Sequence, residues 1–590
     1  MLQDSDLVSV QEVRTKVEKA HAAFQEYRKY SQEQVDAIVE AMAAAARSQA
    51  KALAEMAVRE TGYGTVEGKT AKNLLCSDIL PRRIRGMRTI GVLREDKERK
   101  IIEIAEPVGV VAAVLPTTNP TSTAIYKTIV SLKSGNAVVH SPHPRAKGCT
   151  CATIDLMHRA SIAAGAPPDL IQCINNATLE GTNALMRHPK VSVILATGGS
   201  AMVRAAYSSG KPAYGVGPGN VPVLIDESAD LAEAVGKVVE GKSFDFGTVC
   251  SSEQTIVAAS SLRERILAEL KARKAYLCTE EQGAALARVL LNDKLIVNAD
   301  CVGQSPQTVA KKAGFEVPAD ASILAVEIHG VGRQHPLSAE KLSPVLALYF
   351  VKDFAAAMDA CEGILRFGGL GHTCVIHAKD DHRILEYGKR MPAFRVLVST
   401  PAPQGSTGIT TDVQPSMTLG CGAIAGNITS DNVGPQHLFN TKRIAYVVRK
   451  AEDAFESAPA ALESVAAPGK EAISAAVEKF LQKKGVVGPN SHSVATNVVD
   501  RFLDSRKTAG AADASCGCSL PLPAAAPTLA APQPTPPAPP VAIADFVCEH
   551  DVRVALRESK KIFIGPKSIV TPSARELAGT HDILVLAKRT

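Results

Sequence analysis

A chain of 590 residues with 46% hydrophobic and 21% charged side chains can build large buried cores, and its composition is neither disordered nor fibrous. Its 66 basic and 60 acidic residues leave a net charge of +6 spread thinly over the length. Without a dense Lys/Arg block, and with 4% aromatics and no Trp, the sequence offers neither a nucleic-acid footprint nor a stacking platform for single strands.

The chain starts MLQDSDLVSVQEV, acidic and helical in pattern, unlike a secretory leader. No apolar run reaches membrane-spanning length, so no membrane partner is expected. Residues 9–60 read as helices, with Val35, Ile38, Val39 and Met42 at three- and four-residue steps. From residue 100 the pattern turns to α/β. IIEIAEPVGVVAAVLP holds two β-branched runs, NAVVHSP is a strand, and CTCATIDLMHRASIAAG is a helix stopped by Gly165 and Pro167. KVSVILATGG is a strand running into a glycine turn, MVRAAYSS a helix and NVPVLID a strand. This alternation predicts a mainly parallel sheet covered on both faces. A second α/β stretch follows over 226–415, with helices such as LRERILAELKAR and strands such as LALYFV and TCVIHA.

After residue 450 the composition shifts. Two short amphipathic helices are predicted in EAISAAVEKFLQKKG and SVATNVVDRFLDSRK. Ile473, Ala476, Val477, Phe480 and Leu481 line one face of the first; Ala495, Val498, Val499, Phe502 and Leu503 line the second. Residues 511–540 read as a Pro/Ala-rich linker; nine of the twenty residues from 521 are proline, which makes a semi-rigid spacer. Residues 541–590 form a compact tail with strand candidates KIFIG and DILVLA around SIVTPSARELA.

The 13 cysteines are an odd number set in apolar contexts such as Cys173 and Cys374, which points to a reduced, cytosolic-type compartment. Cys516 and Cys518 form a CxC without a second ligand pair, so they read as linker, and no metal site is expected. Cys250, in SFDFGTVCSSEQ, follows a helix and a glycine and precedes small polar residues, where a substrate can reach a thiol. Thr197, Gly198, Gly199 and Ser200 form a turn between strand and helix, where backbone N–H groups face a phosphate. YGVGPGN, with Gly217, has GxGxG before a strand and departs from the ordinary Rossmann fingerprint.

These segments, with VGVVAAVLPTTNPTSTAIYKTIVSLKSGNAVV, EKLSPVLALY, GGLGHT and SMTLGCGAIAGN, occur in the order seen in the aldehyde dehydrogenase superfamily. The chain resembles its CoA-acylating branch over roughly residues 5–448. The resemblance implies an α/β fold with a cofactor-binding domain (1–225, with an arm at about 92–108 and a returning segment at about 416–448). A catalytic domain (226–415) completes it, the small arm serving oligomerisation into a dimer or tetramer.

It also implies the site. Cys250 matches the nucleophile that attacks an aldehyde carbonyl, gives hydride to NAD and keeps a thioester. Where hydrolytic relatives have PWNFP, this chain has Pro116 to Pro120, so either Thr118 or Asn119 supplies the oxyanion donor beside the Cys250 backbone N–H. Glu340 matches the glutamate that holds the nicotinamide ribose; Thr197, Gly198, Gly199, Ser200 and Gly217 fall in the cofactor region. Hydrolytic relatives carry LELGGK, whose Glu activates water. Here Gly215 stands in that position, which implies transfer to CoA. His372 assists thiol attack or is a hydrogen-bonded structural histidine.

The tail resembles modules at the ends of bacterial microcompartment enzymes, and the two helices resemble encapsulation peptides. The implied protein oxidises a short-chain aldehyde, propionaldehyde or acetaldehyde, with NAD and CoA, in a microcompartment lumen, and docks to shell proteins through its C-terminal region (helices 451–510). The competing readings are a hydrolytic dehydrogenase and a scaffold that kept the fold without activity.

Overall fold

The run Val110–Val114 is buried at every residue and forms the middle strand of a five-stranded parallel sheet. In this computed structural model residues 5–455, 470–483, 500, 543–558, 560–579 and 583–586 are described. They fall in two compact units, Met1–Ala458 and Pro459–Thr590.

The first unit opens with three helices, Ser5–Tyr27, Gln32–Ser48 and Ala50–Thr61. Ser31 and Gln34 close a reciprocal capping box on the second, and Val35, Ile38, Val39 and Met42 are buried as the periodicity predicts. Strands β1 (Gly91–Asp96), β2 (Ile101–Pro107) and β15 (Phe439–Ala445) form a small antiparallel sheet in the order β1-β2-β15. β1 and β2 lie at about the residues expected as an arm and β15 lies within 416–448, with Phe439 opposite Pro107 and Ala445 opposite Ile101.

The five-stranded sheet contains β3 (Val110–Val114), β4 (Ala137–Ser141), β5 (Ile171–Cys173), β6 (Val191–Thr197) and β7 (Ala213–Val216), in the order β5-β4-β3-β6-β7. Strand order reverses between β3 and β6, and such a switch point opens a crevice at the carboxyl ends of the strands. Lys127, fully buried, clamps the two strands there: its ammonium donates to Val114 O at 2.6 Å and Leu195 O at 2.8 Å.

A second sheet has seven parallel strands in the order β10-β11-β12-β9-β8-β13-β14. These are β8 (Val221–Ile225), β9 (Glu253–Ala259), β10 (Ala275–Leu277), β11 (Ile323–Glu327), β12 (Val345–Val351), β13 (Gly371–His377) and β14 (Ala393–Val398). The expected domain boundary at 225/226 falls at the end of β8. β8 pairs with β9 and β13, so the second sheet begins by residue 221, and NVPVLID belongs to it. An apolar strand buried on both faces carries no mark of which sheet it joins.

Cys151 and Cys173 form a disulfide with Cα atoms 6.0 Å apart, because the helix Lys147–Ala163 packs over β5. No helix among the described residues is long and apolar enough to cross a membrane.

In the second unit, the first predicted C-terminal helix forms over Lys470–Lys483; Phe480 is 61% exposed. The second predicted helix (except Asp500) and the linker, with Cys516 and Cys518, lie outside the described residues. The tail builds a three-stranded parallel sheet, β16 (Ile543–Val547), β17 (Ile562–Val570) and β18 (Leu584–Leu586), with helices Glu549–Arg557 and Pro572–Gly579. The strand expected at KIFIG continues through Val570. Val547, Val552, Ala555, Ala574, Ala578 and Ile583 form its core.

Candidate active site

After the helix Leu231–Ser243 the chain turns through three consecutive left-handed residues, Asp245 (φ +48°), Phe246 (φ +51°) and Gly247 (φ +73°). Two of these are not glycine, a backbone cost that persists only where surrounding contacts over-determine it. At Gly247 the requirement is steric too: a Cβ would meet Ser343 O at 2.7 Å. The turn delivers Cys250 just before β9, at the amino end of the seven-stranded sheet.

The Asp245 carboxylate is the anchor of that turn. It is fully buried and accepts hydrogen bonds from Lys69 Nζ (3.3 Å), Lys72 Nζ, Thr65 N (2.7 Å) and Thr248 Oγ1 (2.5 Å). Lys69 and Lys72 stand one turn apart on the helix Val66–Leu74, and together they hold the Asp245 carboxyl below its ordinary range despite its burial. Burial in turn brings the Lys72 ammonium down to about 8. Lys72 also donates to Asn119 Oδ1, which fixes the amide: the NH2 must face the other way, toward Thr118 Oγ1 (3.2 Å) and Thr248 O (3.5 Å). Lys69 donates to Thr118 O at 2.8 Å. Thr118 and Asn119 are thus tied to the Cys250 loop through one buried ionic network. The Asn119 amide is the one aimed at that loop.

His372, the second residue of β13, meets the thiol directly. Its Nε2 lies 3.2 Å from Cys250 Sγ and its Nδ1 lies 2.9 Å from Thr373 Oγ1. Burial, reinforced by the Arg395 guanidinium, holds the imidazole well below its ordinary pKa, so the ring is neutral at pH 7. Burial pushes the Cys250 thiol up to about 12, with Glu340 and Cys421 adding to the rise and Arg395 opposing it. Glu340 is placed by Gly219, whose N–H donates to its Oε1 at 3.1 Å. Only glycine fits there: a Cβ at residue 219 would lie 2.1 Å from Cys250 O and 3.2 Å from the His372 ring. Burial raises the Glu340 carboxyl to about 8.

The residues expected to bind the cofactor lie at neighbouring strand ends. Thr197 closes β6 and pairs with Val216 on β7, so the Gly198–Gly199 turn lies beside Gly217, and Ser200 opens the next helix. The Thr197 hydroxyl is buried without a partner, and a Cβ at Gly199 or Gly217 would meet nothing within 4 Å. An orphaned hydroxyl and a backbone open to close approach fit a dinucleotide at the β3/β6 crevice, with the Glu340 carboxylate able to accept ribose hydroxyls.

Gly215 faces away from any role in activating water. A Cβ there would lie 2.7 Å from Val203 Cγ1 and 3.2 Å from the Tyr207 ring. The Tyr207 hydroxyl donates to Gly215 O at 2.8 Å and accepts from Gly215 N at 3.1 Å. The space beside the Gly215 Cα is filled by Tyr207 and Val203.

Sequence reasoning missed Lys69, Lys72, Asp245, Thr373 and Arg395. Arg395 carried a signal, a lone charge in the apolar strand AFRVLV. Lys69 and Lys72 carried none, since lysines on an amphipathic helix are ordinarily solvated.

Residues 2–285 match the aldehyde dehydrogenase family. The chain is 42% identical over 496 residues to the bifunctional aldehyde-alcohol dehydrogenase AdhE of Escherichia coli (strain K12), covering 81% of this chain and 55% of AdhE. It thus spans about half the length of the first curated relatives it matches. The crystal structure of an acetylating aldehyde dehydrogenase from Geobacillus thermoglucosidasius is 49% identical, with a TM-score of 0.75, covering 76% of this chain and 99% of that one. A propionaldehyde dehydrogenase from the Clostridium phytofermentans fucose utilisation bacterial microcompartment is 28% identical, with a TM-score of 0.67, covering 74% and 97%.

Proposed function

The chain belongs to the aldehyde dehydrogenase family, and we propose that it oxidises a short-chain aldehyde, propionaldehyde or acetaldehyde, to the acyl-CoA through a thioester on Cys250. The Cys250 thiolate adds to the aldehyde carbonyl, and the oxyanion takes hydrogen bonds from the Cys250 N–H and the Asn119 amide. Thr197, Gly198, Gly199, Ser200, Gly217 and Glu340 would hold NAD, which would supply the hydride acceptor. Loss of hydride from the hemithioacetal leaves the acyl group on Cys250. The neutral His372 ring then exchanges a proton with the attacking CoA thiol, and the acyl group departs as acyl-CoA.

One observation carries this reading over hydrolysis: Tyr207 and Val203 fill the space beside Gly215, so no carboxylate can activate water there. The test is product analysis with propionaldehyde and NAD, with CoA present and absent. Acyl-CoA formed only with CoA supports the reading; steady propionate production without CoA gives the hydrolytic one.

We also propose a microcompartment setting, with the region beyond residue 450 docking the enzyme to shell proteins. Supporting it are the helix Lys470–Lys483 with its exposed Phe480 and the separate C-terminal unit, together with the microcompartment origin of one solved relative. Short amphipathic helices are marginal alone in water and gain stability in an apolar groove. The arm sheet serves assembly into a dimer or tetramer in the same proposal.

A further inference from the structure

Arg395 and Thr373 are cross-strand neighbours in the parallel pair β13–β14, and both are almost completely buried. Arg395 Nε donates to Thr373 Oγ1 at 3.3 Å. The same oxygen lies 2.9 Å from His372 Nδ1, and His372 Nε2 lies 3.2 Å from Cys250 Sγ. A guanidinium only donates, so one lone pair of the Thr373 oxygen is taken by Arg395. Among the described residues, the acceptor that the Thr373 hydroxyl proton meets is His372 Nδ1, at 2.9 Å. With Nδ1 accepting, the ring's single proton sits on Nε2 and points at the sulfur.

The charges agree with this direction. The other Arg395 donors reach Ser430 O (3.2 Å), Gly371 O (3.4 Å) and Asn432 Oδ1 (3.5 Å), and none of these carries charge. Among the described residues no carboxylate hydrogen-bonds this guanidinium. Arg395 also hydrogen-bonds the Cys421 thiol, and its positive charge acts on the Cys421 and Cys250 thiols against the rise that burial causes in both.

We propose that Arg395 and Thr373 are positioning residues that polarise a one-way hydrogen-bond chain, guanidinium to hydroxyl to imidazole to sulfur, so that His372 Nε2–H points at the Cys250 sulfur and stabilises its thiolate when the thiol gives up its proton. The hydroxyl retains a proton and a second lone pair. Rotation about its C–O bond lets that lone pair accept from Nδ1–H in the other ring tautomer, reached when Nε2 gives its proton to solvent and Nδ1 takes one back, and in that tautomer Nε2 can take a proton from a second thiol. A carboxylate at residue 373 would hold Nδ1–H permanently and lose that reversal. The inference rests on the thioester reading of Cys250, but its test needs neither aldehyde nor CoA.

The readout is the pH dependence of Cys250 alkylation by iodoacetamide on the full chain, with the labelled peptide identified by mass spectrometry. Groups facing the sulfur are His372, Arg395, Cys421 and Glu340, and all except the mutated one stay constant across the series. Thr373→Val keeps the shape and removes the hydroxyl. The ring proton is then free to settle on Nδ1, the thiolate loses its donor, and the midpoint rises by about one pH unit, roughly tenfold slower labelling below it. Thr373→Ser keeps the wild-type profile. In a His372→Ala background, Thr373→Val adds no further shift, because it acts through the ring. Thr373→Ala reads the same sign if valine is not accommodated. A midpoint that falls or stays put in Thr373→Val, or that rises equally in the His372→Ala background, overturns the proposal. Loss of CoA dependence in the wild type would instead count against the acylating reading and leave this result standing.

Discussion

His372 Nε2 stands 3.2 Å from the Cys250 thiol, and the ring is neutral at pH 7 because burial holds its pKa well below the ordinary value. Removing either partner has a defined consequence. Cys250→Ala deletes the covalent step and little volume, so NADH formation should fall by on the order of a thousandfold or more while folding persists. His372→Ala should lower CoA-dependent turnover by about a hundredfold or more, with the first hydride transfer less affected. Stopped-flow measurement of NADH separates the two steps.

The Asp245 network predicts an asymmetry. Asp245→Ala leaves two buried ammonium groups facing each other and should cost about 3–5 kcal/mol of stability. In Lys72→Met, Asp245 keeps Lys69, so the loss should be smaller. Asn119 loses its anchor in Lys72→Met, so that variant should slow hydride transfer more than its smaller stability loss would suggest. Urea unfolding and single-turnover kinetics read these effects; equal stability losses would contradict the shared role of Lys69.

Gly215→Glu should not create a hydrolase. The new side chain collides with Val203 and Tyr207, so the expected result is lower thermal stability with no propionate. Adding Tyr207→Ala opens the space, and slow propionate release becomes the expected outcome. Product chromatography distinguishes the single from the double variant.

Glu340 gives a pH signature. Its carboxyl is raised to about 8, so it is mostly protonated at pH 7 and ionises as pH climbs through 8. An ionised carboxylate is the better acceptor for ribose hydroxyls, so KM for NAD should fall across that window. Glu340→Gln should flatten the dependence, and a profile unchanged by it would remove Glu340 from the cofactor site.

Much of this was legible in the sequence because the chemistry sits in short contiguous runs. Cys250 among small polar residues and the Thr197–Ser200 turn stand out as candidates by local pattern, whereas His372 in GGLGHT is singled out by the family resemblance. The relationships between runs were not legible. Arg395 reaches His372 through a cross-strand pairing with Thr373, and register in a parallel sheet leaves no trace in either strand alone. Lys72 reads as a solvated helix residue until the fold closes over it. The sheet to which Val221–Ile225 belongs is undetermined for the same reason, since a wholly buried strand is apolar on both faces.

A chain ending near residue 450 should keep CoA-dependent activity and fail to co-purify with shells, because every candidate site residue lies before that point. Fusing residues 466–506 to a fluorescent protein should confer shell association, and Phe480→Glu with Phe502→Glu should abolish it. Lost activity with shell binding retained would place this region in the enzyme's core instead.

The most direct test of the central claim is the stoichiometry of NADH released from propionaldehyde and NAD without CoA. The account predicts a burst of about one NADH per Cys250, an acyl group retained on that thiol, and steady turnover to acyl-CoA only when CoA is added. Continuous NADH and free propionate in the absence of CoA would contradict it.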